Sequence, residues 1–336
     1  MKAAIYLGKE NVEVRKIPYP ACGDNDVVIK NICSSICGTD VAVYCHGPNT
    51  GHKVSVGGEF GHETVSRVVE VGKNVTDFYA GERVYPYPLY AKNDTGRAGN
   101  LGGFSEYILV PEAKKNHSLY DVPENISDRL ACLIEPFTVG CRAARRGQPK
   151  EGEHGLVFGC GTIGLAAAIA LKYFGMDKVM ICDLSDFRLD IAKRLGFETC
   201  NSSRENLNEK AEEYFGTAPA LGKMTMDVDV FLDAAGHESI LDTFMDAGKI
   251  GSRFSAVAVN NAMRSVDMLH LTYASKSIIG SGGYFPEDVR DVMEIMASGR
   301  WDIESVITNE YTIDEIETAI RMAADAEHAL NVVIKF

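Results

Sequence analysis

The chain has 336 residues, 46% of them hydrophobic and 24% charged, and carries a net charge of −13. That length exceeds one ordinary core and points to two domains of a water-soluble globular protein. The acidic balance argues against a nucleic-acid or anionic-membrane partner, since phosphates are bound by clustered Lys and Arg; with no run of about 18 apolar residues and no signal-peptide pattern, the chain reads as cytoplasmic.

Short Val, Ile and Tyr runs broken by polar residues predict strands over 2–7, 12–15 and 26–32. A stretch of different texture follows, opening with Ile36-Cys37-Gly38-Thr39-Asp40 and closing with Gly57-Gly58-Glu59-Phe60-Gly61-His62-Glu63. A thiol, an imidazole and a carboxylate on glycine-flanked, non-helical turns are ligand types that zinc takes, and three protein ligands leave a fourth position open. Taken singly, Cys37 and His62 would be packing residues. Their joint pattern, 25 positions apart and ahead of a nucleotide-binding loop, makes Cys37, His62 and Glu63 candidate ligands. The nine cysteines include no CxxC pair, which excludes a disulfide framework. Strands are predicted over 64–72 and 104–111, with a loop rich in Pro, Asn and Gly over 86–103 between them. Glu135, in Leu133-Ile134-Glu135-Pro136-Phe137, is an acid inside an apolar run. Its burial without a cation would be costly, so it joins the metal candidates.

From His154 the pattern changes. A strand over 154–159 runs into Gly159-Cys160-Gly161-Thr162-Ile163-Gly164 and an Ala-rich helix over 165–174, and a second strand, 178–183, ends on Asp183. Glycines in that spacing between strand and helix, answered by an acid 19 positions after Gly164, are the dinucleotide fingerprint. Gly159, Gly161, Thr162, Ile163 and Gly164 form the phosphate turn, and the helix N-terminus favours the negative charge. Asp183 suits the ribose hydroxyls and repels a 2′-phosphate, so NAD is expected over NADP; Arg188, on the next helix, is the residue that would argue otherwise. Helices over 186–195, 205–215 and 238–247 alternate with strands over 228–233, 252–259 and 277–280, which indicates a doubly wound parallel sheet.

In the tail, a helical stripe of Val289, Val292, Met293 and Met296 predicts a helix over 286–298. A strand over 305–312, a helix over 313–324 with Thr312 and Glu315 as a capping box, and a strand over 332–336 follow. This tail is expected to complete the first domain, giving catalytic segments 1–140 and 281–336 around a nucleotide-binding segment 141–280.

These motifs, with Gly103-Phe104-Ser105-Glu106-Tyr107, Ile134 to Gly140 and Cys182-Asp183-Leu184-Ser185, resemble the zinc-dependent medium-chain alcohol dehydrogenases over nearly the whole chain. The sorbitol, polyol and 2,3-butanediol branch is the nearest in pattern. The resemblance implies an α/β protein: a GroES-like β-rich catalytic domain, a Rossmann domain, and a cleft holding zinc beside the nicotinamide. It implies that Cys37 and His62 bind zinc and that Glu63 and Glu135 share the remaining duty, either of them being the direct ligand. It also implies a homodimer or homotetramer. Many relatives carry a second, structural zinc on four cysteines in the region of 86–103; this chain has none there, so one zinc per subunit is expected. The family's relay histidine, five positions after the zinc cysteine, is Ala42, and an Arg-Tyr pair of the sorbitol enzymes is reduced to Tyr284 in Gly282-Gly283-Tyr284.

The activity so implied is reversible oxidation of a secondary alcohol, polyol, sugar alcohol or vicinal diol, to a ketone with NAD. Zinc can lower a bound hydroxyl's pKa from about 15.7 to roughly 7, Thr39 passes on the proton, Glu135 and Tyr284 shape the substrate cleft, and Phe104 walls it. The alternatives are an amino-alcohol dehydrogenase acting on a substrate such as threonine, and a dinucleotide-binding protein without catalysis.

Overall fold

A computed structural model describes residues 1–50, 53–92, 98–260 and 262–336; part of the 86–103 loop therefore lies outside the described residues. The chain divides into two compact units, 1–135 with 296–336, and 136–295.

The first unit is built on the strand Val27–Ser35, whose residues are buried on both faces except at Lys30 and Ile32. It pairs antiparallel with Glu63–Val71, Tyr107–Val110 and Asn331–Lys335. The last of these pairs in parallel with Ile307–Thr312, so two strands from the C-terminal tail join the sheet of the first third. A smaller sheet of Lys2–Gly8, Asn11–Lys16 and Gly58–Glu59 lies in the same unit. Tyr6, Phe60 and Phe104 are fully buried in one cluster with Ile320 and Ile334. Phe60 and Phe104 meet edge-on at 4.9 Å, a pair contributing about 0.5–1.5 kcal/mol beyond its buried area. Phe104 is thus a core residue, 0% exposed, and not the wall of a cleft. The helix Ile316–Ala323 buries Ile316, Ala319 and Ile320, spaced three and four apart, and the capping box holds, with Thr312 N donating to Glu315 Oε2 at 3.0 Å.

The second unit holds six parallel strands in the order Glu198–Asn201, Lys178–Asp183, His154–Phe158, Val230–Asp233, Arg253–Ala256 and Ser277–Gly280. Chain order reverses beside His154–Phe158, the switch point where doubly wound sheets bind ligands at the C-terminal ends of strands. Val230–Asp233 is buried throughout, as a strand covered on both faces must be. The helix Thr162–Tyr173 buries every residue from Gly164 to Leu171, which explains its apolar, Ala-rich sequence. The helix Pro286–Ala297, expected with the catalytic tail, falls almost wholly in this unit: Asp288, 0% exposed, is bonded by Arg145 Nε at 2.7 Å, and Arg142 stacks on Phe285 at 4.3 Å.

Several elements differ from the sequence expectation. Gly38–His46 and Ile134–Arg146 are helices, and Thr217–Ala220 with Lys223–Met226 forms a hairpin. The strand expected over 252–259 spans only Arg253–Ala256. No helix among the described residues is long and apolar enough to cross a membrane.

Candidate functional site

In the first unit, Cys37 is the N-cap of the helix Gly38–His46. Its Sγ accepts from Thr39 N at 3.5 Å, and its own N–H donates to Asp40 Oδ2 at 3.1 Å, a capping box in which a thiol replaces the usual hydroxyl. The turn around Cys37 is therefore the start of a helix, a correction to the non-helical setting read from the flanking glycine. His62 and Glu63 come from the entry of the strand Glu63–Val71. Gly61, at φ 84°, sets that entry, and a Cβ there would stand 2.6 Å from the Phe104 ring. Gly103 N donates to Gly61 O at 2.9 Å, and Phe104 N to Phe60 O at 3.1 Å, so the two glycine-bearing segments lie against each other and hold His62 in place.

One donor atom each from Cys37, His62 and Glu63 lies within 4.8 Å of the others, so the structure brings these three together. His62 and Glu63 are each 2% exposed. Glu63 Oε2 is buried with no hydrogen-bond partner among the described residues, while the Ser35 and Cys37 side chains bond its carboxylate. Burial pushes the Glu63 carboxyl up to about 7. Burial raises the Cys37 thiol well above its ordinary value, and the charges of Glu63, Asp40 and Glu135 raise it further. A thiol and a carboxyl that burial keeps from ionising, beside an imidazole, are what one dication relieves, so the residues fit a zinc ion. Glu135, 7% exposed, sits in the first turn of Ile134–Arg146, where Pro136 is tolerated, and its charge reaches Cys37.

Asp40 was not among the residues singled out from the sequence. Its Oδ1 lies 3.7 Å from His62 Nδ1, and its other oxygen takes the Cys37 amide, so one carboxylate is bonded to one ligand-bearing residue and stands close beside a second. An acid three residues after the ligand cysteine, at a helix start, was the available signal. Thr39 Oγ1 is buried without a hydrogen-bond partner among the described residues. His154, Asp227 and Asp229 also cluster, but Lys249 Nζ stands 2.5 Å from Asp227 Oδ1 and 2.6 Å from Asp229 Oδ1, an internal cation already in place.

In the second unit, Gly159 (φ 98°) leads from the strand into the helix Thr162–Tyr173. A Cβ on Gly164 would stand 1.8 Å from Gly159 O, whereas one on Gly161 would meet nothing within 4 Å. Gly164 is thus required by helix packing, and Gly161 leaves open the space a pyrophosphate would take; Thr162 and Ile163 open the helix. Asp183 ends its strand. Its Oδ1 accepts from Leu184 N (2.8 Å) and Ser185 N (2.9 Å), and its Oδ2 from Cys160 N (2.6 Å). The carboxylate therefore clamps the glycine loop and keeps one acceptor direction on Oδ2. Arg188 lies in the first turn of Asp186–Arg194, its carbonyl accepting from Cys160 Sγ at 3.2 Å. Tyr284, 5% exposed, also belongs to this unit.

Residues 162–298 match the family described as zinc-binding dehydrogenase, and residues 23–124 the alcohol dehydrogenase GroES-like domain. An L-threonine 3-dehydrogenase of Serratia proteamaculans is 30% identical over 335 residues, covering 94% of each chain. The chain belongs to the zinc-dependent medium-chain alcohol dehydrogenase family. Among solved structures, a 2R,3R-butanediol dehydrogenase of Bacillus subtilis superposes with a TM-score of 0.86 at 25% identity, covering 100% of this chain and 99% of that one. An alcohol dehydrogenase of Escherichia coli complexed with NADH gives 0.85 at 26% identity, covering 100% and 99%. This medium-chain dehydrogenase is an oxidoreductase that depends on zinc and NAD.

Proposed function

We propose that this dehydrogenase oxidises a secondary alcohol, a polyol, sugar alcohol or vicinal diol, to the ketone, using one zinc ion on Cys37, His62 and Glu63 and NAD on the 159–164 loop. One observation carries this reading: three unlike donors meet within 4.8 Å around a carboxylate oxygen that has no partner among the described residues. Bound there, zinc supplies Lewis-acid polarisation of the substrate hydroxyl. The chain's own groups do the rest. Asp40 lies beside the His62 ring and takes the Cys37 amide, and Glu135 would supply a further carboxylate for the metal. Thr39 Oγ1 would accept the proton of the substrate hydroxyl, and a bound NAD would supply the hydride acceptor. Ala42, at the family's relay position, has no group to carry a proton, so the proton would leave by another route, such as the ribose hydroxyls of bound NAD and water. The remaining acceptor direction of Asp183 takes a ribose hydroxyl, and its charge disfavours a 2′-phosphate. Arg188 borders the adenosine end, and Tyr284 shapes the substrate side.

One zinc per subunit is part of the proposal. No cysteine occurs in 86–103, and among the described residues there Tyr87 stacks edge-on against Tyr90 at 5.0 Å and Tyr90 lies on His117 at 4.4 Å. A cytoplasmic homodimer or homotetramer completes it.

The name of the threonine dehydrogenase relatives supports a second reading, an amino alcohol as substrate. A turnover screen of diols, alditols, cyclitols and L-threonine with NAD, with NADP as control, separates the two. The first reading expects NADH from a diol or polyol; turnover confined to L-threonine would favour the second. Protein that binds NAD yet holds no zinc and turns over none of these would overturn both. Cys37→Ala is expected to abolish zinc content and turnover while NAD affinity is unchanged.

A further inference from the structure

Two thiols of the second unit are placed to react with each other. Cys182 lies on Lys178–Asp183 and Cys200 on the edge strand Glu198–Asn201, and the two are direct partners in the parallel ladder. Both side chains are buried in one core cluster. Adjacent strands stand about 4.8 Å apart, inside the disulfide Cα range of about 4.4–6.8 Å. The neighbouring Cys200 side chain draws the Cys182 thiol below the ordinary thiol range although it is buried, and Cys200 is raised in turn. Cys132, whose thiol donates to Arg129 O at 3.1 Å in the first unit, is instead pushed well up by burial. Cys182 is 4% exposed, and Ser202, whose N–H bonds the carbonyl of Asp183, the residue next to Cys182, is at the surface.

We propose that Cys182 and Cys200 are a peroxide-oxidisable dithiol that closes to a disulfide and weakens the dinucleotide site. The Cys182 thiolate attacks one oxygen of hydrogen peroxide; the O–O bond breaks, and the departing hydroxide takes the thiol's proton to leave as water. The Cys200 sulfur then attacks the sulfenic sulfur; the S–O bond breaks, and a second water leaves with the Cys200 proton. Two thiols are oxidised and one peroxide is reduced to two waters. The Cα spacing suits the bond, but it needs Cβ atoms about 3.8 Å apart where directly opposed strand residues hold them about 4.5–5.5 Å apart, so the two side chains and the backbone that carries them must shift. Asp183 follows Cys182 directly: its carbonyl accepts from Ser202 N at 3.2 Å, and its carboxylate clamps the glycine loop through Cys160 N. The effect on NAD rests on the cofactor reading above, whereas formation of the bond does not.

The test uses the full reduced chain treated with hydrogen peroxide, alkylated, digested and mapped by mass spectrometry, with NADH affinity read by fluorescence. The expected result is a peptide pair joined through Cys182 and Cys200, with affinity about tenfold weaker, equivalent to one charge-assisted hydrogen bond, and restored by dithiothreitol. Cys200→Ser should stop at a sulfenic acid on Cys182, captured by dimedone. Absence of the 182–200 link when the partly exposed Cys22 is already oxidised would overturn the proposal, and so would a link that leaves NADH affinity unchanged. Failure of the reduced protein to bind NADH would refute the cofactor reading instead, with the peptide map still deciding the dithiol.

Discussion

Stripping the metal should make stability depend on pH through Glu63. The carboxylate is 2% exposed, and burial pushes it up to about 7 from 4.5 in the unfolded chain. Below pH 4.5 it is protonated in both states and has no effect. Between 4.5 and 7 the unfolded chain releases the proton that the folded chain keeps, so stability falls as pH rises, and the loss is complete above 7. The gap corresponds to about 3 kcal/mol, or roughly 6–12 °C in the melting temperature of a domain of this size. Asp40 is raised as well, mainly by burial and then by the Glu63 charge; it remains in the control protein, Glu63→Gln, which lacks the Glu63 titration and that charge's share of the Asp40 rise. Thermal or urea unfolding of chelator-treated wild type and Glu63→Gln at pH 5 and pH 7.5 gives the comparison. Wild type should lose about 2.4 kcal/mol more than the variant over that interval, and zinc should reverse the loss. Parallel pH curves for the two metal-free proteins would refute this account of the site.

Asp40→Asn should loosen the His62 ring and lower zinc affinity about 10–100-fold, read by chelator competition. Thr39→Val keeps the shape and removes the buried hydroxyl; kcat should fall about 10²–10⁴-fold with zinc content unchanged, and an unaltered kcat would exclude Thr39 as the proton acceptor. Gly164→Ala places a Cβ 1.8 Å from Gly159 O, so the helix must move away from the phosphate turn. It should cost about 1–3 kcal/mol of stability and weaken NAD binding, measurable by thermal unfolding and nucleotide fluorescence.

Much of this dehydrogenase was legible as a string because its rules are local. The spacing of Gly159, Gly161 and Gly164 between an apolar strand and an Ala-rich helix, with Asp183 closing the next strand, reflects backbone sterics and a helix N-terminus acting over a few residues. The strands Lys178–Asp183 and Ser277–Gly280 and the helix Glu238–Ala247 coincide with the ranges read from periodicity. Helix Gly38–His46 escaped that reading because nine residues with β-branched Val41 and Val43 show little amphipathic stripe, and it is Cys37 that caps it. Helix Ile134–Arg146 was hidden by Pro136, which a first turn tolerates. What only the tertiary structure decided are the meetings between distant segments: Asp40 with His62, Gly61 against Phe104, the Asp183 carboxylate on the Cys160 amide, and Cys182 beside Cys200. Such contacts form when separately specified strands and turns pack into one core, and no local propensity encodes which side chains then share a few ångströms of space.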